Sequence, residues 1–213
     1  MLIDPGALTE QELYKLLIGS VVPRPIAWVS TISAAGARNL APFSFFTVVS
    51  RKPPMISLTI ETHPDDREKD TFRNIADTRE FVVNVVSTRN ARQMHASSNE
   101  YPPDVDEFVA AGVSAASSSV VHPQRVADAM INMECRLHAV LTPGSDTVVV
   151  GTLVAYHVHD VLWHDGRIDQ EKLDPLARIA SSFAPLGDIF SLRHPTSPDS
   201  SVGSTTPGSD ACG

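Results

Sequence analysis

The feature that most constrains this chain is the way its β-prone runs are cut short. Ile26–Ile32 (IAWVSTI), Leu40–Val49 (LAPFSFFTVV), Met55–Glu61 (MISLTIE), Phe81–Ser87 (FVVNVVS), Met130–Leu141 and Thr147–Leu162 are rich in β-branched and aromatic residues. Each is strand-sized and bounded by breakers. Pro23 and Pro25 precede the first, Ala34-Ala35-Gly36-Ala37 follows it, and Pro53-Pro54 ends the second. Pro42 within the second marks a bulge or an edge position. Pro143-Gly144-Ser145-Asp146 turns the fifth run into the sixth as a hairpin. Helical segments fall between these runs without regular alternation. Thr9 and Glu12 have capping-box spacing ahead of Leu13, Leu16 and Leu17, and Gly19 is placed to end that helix. Asp70–Ala76, with Asp70 or Thr71 as cap, Asn90–Ala96 and Asp106–Ala111 read as short helices. Strands at short spacing with helical inserts predict an antiparallel β-barrel carrying peripheral helices, and a doubly wound sheet is disfavoured.

Composition narrows the classes further. The chain has 213 residues, 42% apolar and 20% charged, which suffices for a core without staples. Its net charge of −8 argues against nucleic acid as a partner, because phosphate neutralisation needs a basic surface. Its two cysteines, Cys135 and Cys212, do not make a disulfide framework, so a reducing compartment is expected. No apolar run has the length of a membrane span, and Met1–Gly6 lacks a basic-then-apolar leader. Cys212 stands one residue too late for a prenylation box. The expectation is a cytoplasmic protein without a membrane partner. Residues 1–194 would form one domain, and the Ser/Pro/Gly-rich stretch 195–213 a disordered tail.

Four stretches could carry chemistry, and each has a plainer reading. Lys69-Asp70-Thr71-Phe72-Arg73-Asn74 opens a helix, whose N-terminal N–H groups suit a phosphate. Lys69, Thr71 and Asn74 would add donors there; the plainer reading is ordinary capping beside a solvated lysine. Asn39–Phe46 offers Ser44 beside a flat apolar wall fit for a planar ring, or else simple barrel core. In Arg24–Thr31, small Ala27 and Ser30 would let a ligand approach backbone amides and Arg24 would hold a negative group. Otherwise it is a surface arginine leading into a core strand. His157 and His159 alternate onto one strand face with His164 close behind, which is a metal site or merely an exposed pair. The carboxylate that the related barrel metal motif requires is missing, so no metal is assigned. Asp104, Asp106 and Glu107 read as a solvated acidic loop face.

Taken in order, YKLLIGSVVPRPIAWVST (14–31), NLAPFSFF (39–46), KDTFRNI (69–75), EFVVNVVS (80–87), DEFVAAG (106–112) and DPLARIA (174–180) resemble the flavin reductase-like family. These are the FMN-binding split-barrel proteins. The resemblance implies a homodimeric six-stranded antiparallel split β-barrel with FMN as cofactor near the dimer interface. It implies hydride transfer from NAD(P)H to flavin, in many members for a partner monooxygenase. It sets Lys69, Thr71 and Asn74 at the FMN phosphate. Ala27, Trp28, Ser30, Asn39, Ser44 and Phe45 would border its ring and ribityl chain, with Ser57 and Thr59 as further contacts. Arg178 matches the family's C-terminal arginine and would reach the cofactor. Two departures stand out. Thr47 replaces an asparagine common in the family. Ala180-Ser181-Ser182-Phe183 replaces a Gly-Gly pair and a following tyrosine, which bears on nicotinamide access and substrate choice.

Such a site needs no general acid or base from the protein, and His95 is the nearest candidate for one. Three functions therefore stand side by side. The first is an NAD(P)H:FMN oxidoreductase. The second is a flavin-binding electron carrier, or an FMN enzyme acting on its own substrate without nicotinamide turnover. The third is a metal-binding barrel using His157, His159 and His164.

Overall fold

The computed structural model describes residues 1–63, 65 and 67–192. The expected tail at 195–213, and Cys212 with it, lies outside the described residues. In chain order the elements are α1 (Glu10–Ser20), β1 (Arg24–Pro25), β2 (Ala27–Ile32), β3 (Arg38–Phe43), β4 (Phe46–Arg51) and β5 (Pro54–Ile60). Then follow α2 (Asp70–Thr78), β6 (Glu80–Val85), α3 (Ala91–Ala96), α4 (Glu107–Ala110), β7 (Ala115–Ala116) and β8 (Arg125–Val126). The remainder is β9 (Ile131–Leu141), β10 (Thr147–Val158), β11 (Trp163–His164), β12 (Arg167–Ile168), α5 (Gln170–Leu173), β13 (Leu176–Ile179) and β14 (Ser182–Pro185).

The main sheet has seven strands in the order β3-β2-β6-β9-β10-β5-β4, and every pairing is antiparallel. Its two edges, β3 and β4, are consecutive in sequence and separated only by Ser44-Phe45. Counted as one bent strand they close the sheet into a six-stranded barrel. The single run predicted over Leu40–Val49 is thus split at a corner, with one half paired to β2 and the other to β5. The Phe45 carbonyl still accepts the Thr59 N–H at 2.8 Å, so the corner stays zipped to β5.

Both faces of β2 are covered. Ala27 and Val29 join Leu58, Phe81, Cys135 and Val149 in the barrel interior. Trp28 points the other way, into a second cluster with Leu40, Met94 and Phe108. That explains a strand with no exposed alternate face. Gly151 is required where β10 passes Phe81, because a Cβ there would lie 2.3 Å from the ring. Helix α2 lays Thr71, Asn74 and Ile75 against the barrel, three residues one turn apart on one face.

Several boundaries differ from expectation. The Thr9–Glu12 capping box forms, but α1 runs through Gly19 to Ser20. The N-cap of α2 is Lys69, one residue earlier than predicted. β10 stops at Val158, because the His159 imidazole accepts the Val161 N–H and starts a 3-10 turn. No helix of the described residues is long and apolar enough to cross a membrane.

Candidate flavin site

Two neighbouring cavities open beside the β3–β4 corner and share Pro42, Phe43, Lys69 and Ser98. The larger, about 420 Å³, runs along the start of α2 towards the 97–103 loop. The smaller, about 210 Å³, lies between the corner residues Ser44 and Phe45 on one side and Arg178 and Phe183 on the other.

The N-terminus of α2 faces the larger cavity through Lys69, Asp70 and Thr71. The N–H groups of Phe72 and Arg73 both turn back to the Lys69 carbonyl. Those of Asp70 and Thr71 have no acceptor among the described residues, which leaves two donors at the positive end of the helix. The Asp70 carboxylate is paired with Arg73, one turn on. The Lys69 ammonium has no hydrogen bond or ion pair among the described residues.

Thr71 and Asn74 behave differently. The Thr71 hydroxyl donates to Asn39 Oδ1 at 2.8 Å, and so does the Thr31 hydroxyl at 3.1 Å. Asn74 Nδ2 donates to Thr31 Oγ1 at 3.0 Å. These four buried side chains tie α2 to β2 and β3, so they fix where the helix end points. Behind them Glu107 accepts the Leu40 N–H at 2.6 Å. Burial pushes the Glu107 carboxyl up, and that hydrogen bond only partly offsets it.

In the smaller cavity two arginines face each other across the β1–β13 pairing, Arg24 opposite Arg178. Arg24 is committed. Nη1 donates to the Ile18 and Val21 carbonyls at 2.6 and 2.9 Å, Nη2 to Ala180 at 3.1 Å and Nε to Ser44 Oγ at 3.4 Å. It locks the end of α1 and the β13–β14 turn to the corner, and its guanidinium lies 5.7 Å from the Phe45 ring centroid. Arg178 has no hydrogen-bond or ion-pair partner among the described residues, and its guanidinium lies 4.5 Å from the Phe183 ring centroid. Glu61 and Tyr14 also line this cavity. Burial, and then the Glu61 carboxylate, raise the Tyr14 phenol, against the opposing pull of Arg24 and Arg178.

Of the thirteen residues expected to bind cofactor, Arg24, Asn39, Ser44, Phe45, Thr59, Lys69, Thr71 and Arg178 line the two cavities. Ala27, Trp28, Ser30 and Ser57 do not. The Trp28 indole N–H donates to Ser97 Oγ at 2.8 Å, and the Ser30 hydroxyl to the Gln124 carbonyl at 2.6 Å. Asn74 lines neither of the two, only an adjoining open groove. Tyr14, Glu61, Met94 and Tyr101 line the cavities without having been singled out. Tyr14 opens the first of the family-like stretches, but nothing local marks any of the four as a lining residue, and only the tertiary fold gathers them.

The three histidines do not converge. His157 Nε2–H donates to Glu134 Oε1 at 2.5 Å, His159 caps its turn, and His164 Nε2 lies 3.1 Å from Lys172 Nζ. Among the described residues no three His, Cys, Asp or Glu side chains come together as a metal site. The predicted strand alternation fails because β10 ends between the first two histidines.

A family model described as a flavin reductase like domain matches residues 18–172. A protein of Halalkalibacterium halodurans is 40% identical over 204 residues, covering 92% of this chain and 97% of the relative. The crystal structure of nitrilotriacetate monooxygenase component B from Bacillus cereus aligns with a TM-score of 0.87 at 34% identity, covering 90% of this chain and 98% of that one. The 2-nitrobenzoate 2-nitroreductase NbaA of Pseudomonas fluorescens aligns with a TM-score of 0.80 at 31% identity, covering 92% and 97%. The fold is thus that of a flavin-handling split barrel. The chain belongs to the flavin reductase-like family.

Proposed function

We propose that this protein binds FMN and transfers hydride from NAD(P)H to flavin, as a cytoplasmic homodimer that serves a partner monooxygenase. The observation that carries the reading is the meeting of the two cavities at Lys69. A phosphate fits the α2 end, where two N–H groups and an ammonium lack partners among the described residues, and a planar ring fits the wall of Pro42, Phe43 and Phe45. A bound flavin supplies the two-electron acceptor for a hydride leaving the nicotinamide C4.

The protein's own residues then have distinct tasks. Lys69 and the Asp70 and Thr71 N–H groups hold the phosphate. Asn39, Thr71 and Asn74 keep those donors aimed. Phe45 gives the ring a flat support, and Ser44 and Thr59 offer hydroxyls at the corner and on β5. Arg24 fixes the corner and Arg178 brings an uncommitted positive charge to the opposite wall. The component B similarity supports service to a monooxygenase.

Flavin absorption of the purified protein, followed by anaerobic titration with NADH and NADPH, tests this directly. Bleaching of the flavin bands by either dinucleotide is expected. A protein that neither holds FMN nor speeds NAD(P)H oxidation with FMN added would refute it. A second reading, an FMN enzyme reducing its own small substrate, has the nitroreductase similarity behind it. Bound flavin with no nicotinamide turnover would select that reading or an electron carrier instead.

A further inference from the structure

The β13–β14 hairpin forms the outer wall of the smaller cavity, opposite the corner that would carry the flavin. Arg178 and Phe183 are direct cross-strand partners on it. Phe183 holds the Arg178 guanidinium over its face at 4.5 Å. Its ring also meets His95 of α3 at 6.0 Å between centroids and 73° between planes, an edge-to-face contact. Phe183 is still 37% exposed, so ring surface remains free. The hairpin is anchored at its turn, where the Ala180 carbonyl accepts Arg24 Nη2 at 3.1 Å. The result is a wall bearing one aromatic face and one cation without an anionic partner among the described residues.

We infer that Phe183 is a specificity-determining residue: it takes the flat ring of the second substrate against its exposed face while the Arg178 it holds takes that substrate's negative group. The inference rests on the proposed flavin function and names how the electron donor is recognised. A nicotinamide dinucleotide has both features, a planar ring and phosphate charges. Phe183 lines the smaller cavity and not the larger, whereas Asp70 and Thr71 line the larger and not the smaller, so the flavin phosphate and the dinucleotide are read by different residues.

The test titrates oxidised nicotinamide dinucleotides, NAD⁺ and NADP⁺, into FMN-loaded protein by calorimetry, alongside the FMN dissociation constant by flavin fluorescence. Phe183→Ala is expected to weaken the better-bound dinucleotide at least fivefold and leave FMN affinity within twofold. Phe183→Leu, which keeps apolar bulk without a ring, should lose as much. Phe183→Tyr should retain wild-type dinucleotide binding. Unchanged dinucleotide affinity in Phe183→Leu would overturn the inference, and so would a parallel loss of FMN. A wild-type chain that binds no FMN overturns the functional reading itself, and this inference with it.

Discussion

Two polar regions of the molecule make opposite use of charge. On β9, Glu134 is fully buried and every acceptor position is filled. Ser119, Val120 and Val121 donate backbone N–H groups at 2.7, 2.7 and 3.1 Å, and His157 donates from the neighbouring strand. Burial alone would raise that carboxyl, yet these donors outweigh it and hold it below the usual range. At the cavities beside α2, Lys69 and Arg178 have no hydrogen-bond or ion-pair partner among the described residues. A charge with its partners built in closes a loop onto the barrel. On the function proposed above, a charge left without one at a cavity wall would serve a ligand, and that difference would separate structural ionisable groups from binding ones.

The sharpest way to break the comparison is to remove the closed charge. Glu134→Gln should cost on the order of 3 kcal/mol, because it strands N–H groups that only a carboxylate satisfies. The melting midpoint should fall by roughly 6–12 °C. The pH dependence has a definite sign. The folded carboxyl is lowered, so its contribution is complete above the ordinary glutamate value of about 4.3 and fades as pH falls through the folded value. Wild-type stability should drop on acidification through that window, and the variant's acid limb should be flatter in pH-dependent melts.

Removing the open charge should do the reverse. Lys69→Ala should leave the melting midpoint nearly unchanged and weaken FMN by about 1–3 kcal/mol, read as a 5- to 150-fold rise in dissociation constant. An equal loss of stability would merge the two classes. Glu107 is intermediate, a buried carboxylate with incomplete compensation. Its raised folded value means that stability declines as pH rises from the ordinary carboxylate range through that value. Glu107→Gln keeps an oxygen for the Leu40 N–H and should gain about 1 kcal/mol at pH 7, with no gain near pH 4. The smallest effect belongs to the hairpin. Ala180 sits at φ 46°, in the left-handed region that glycine tolerates. Ala180→Gly should change stability by less than about 1 kcal/mol and leave the Arg24 contact intact, as chemical denaturation can check.

Much of the fold is legible in the sequence, for physical reasons. β-Branched runs cut by proline and glycine define the barrel strands, and Lys69-Asp70-Thr71 marks where α2 begins. Other parts were not legible. Ser30 suggests itself as a small residue that a ligand could approach, and Trp28 through the family resemblance, but both faces of β2 are covered. Thr71 and Asn74 have the right chemistry for a phosphate, yet their hydrogen bonds are spent on Asn39 and Thr31, residues distant in sequence. Glu134 and His157 are 23 residues apart and meet only through the β9–β10 register, which pairs Asn132 with His157 and so sets Glu134 diagonally across. The hairpin wall of Arg178 and Phe183 showed only as an unusual motif ending. Its pairing with Arg24-Pro25 is a long-range contact that local pattern does not encode.

The most direct measurement compares FMN with riboflavin, which share the ring system and differ in the phosphate. If the α2 end and Lys69 grip that phosphate, wild type binds FMN at least tenfold more tightly than riboflavin, and Lys69→Ala shrinks the gap by lowering FMN affinity alone. Equal affinity for the two ligands in wild type would contradict it.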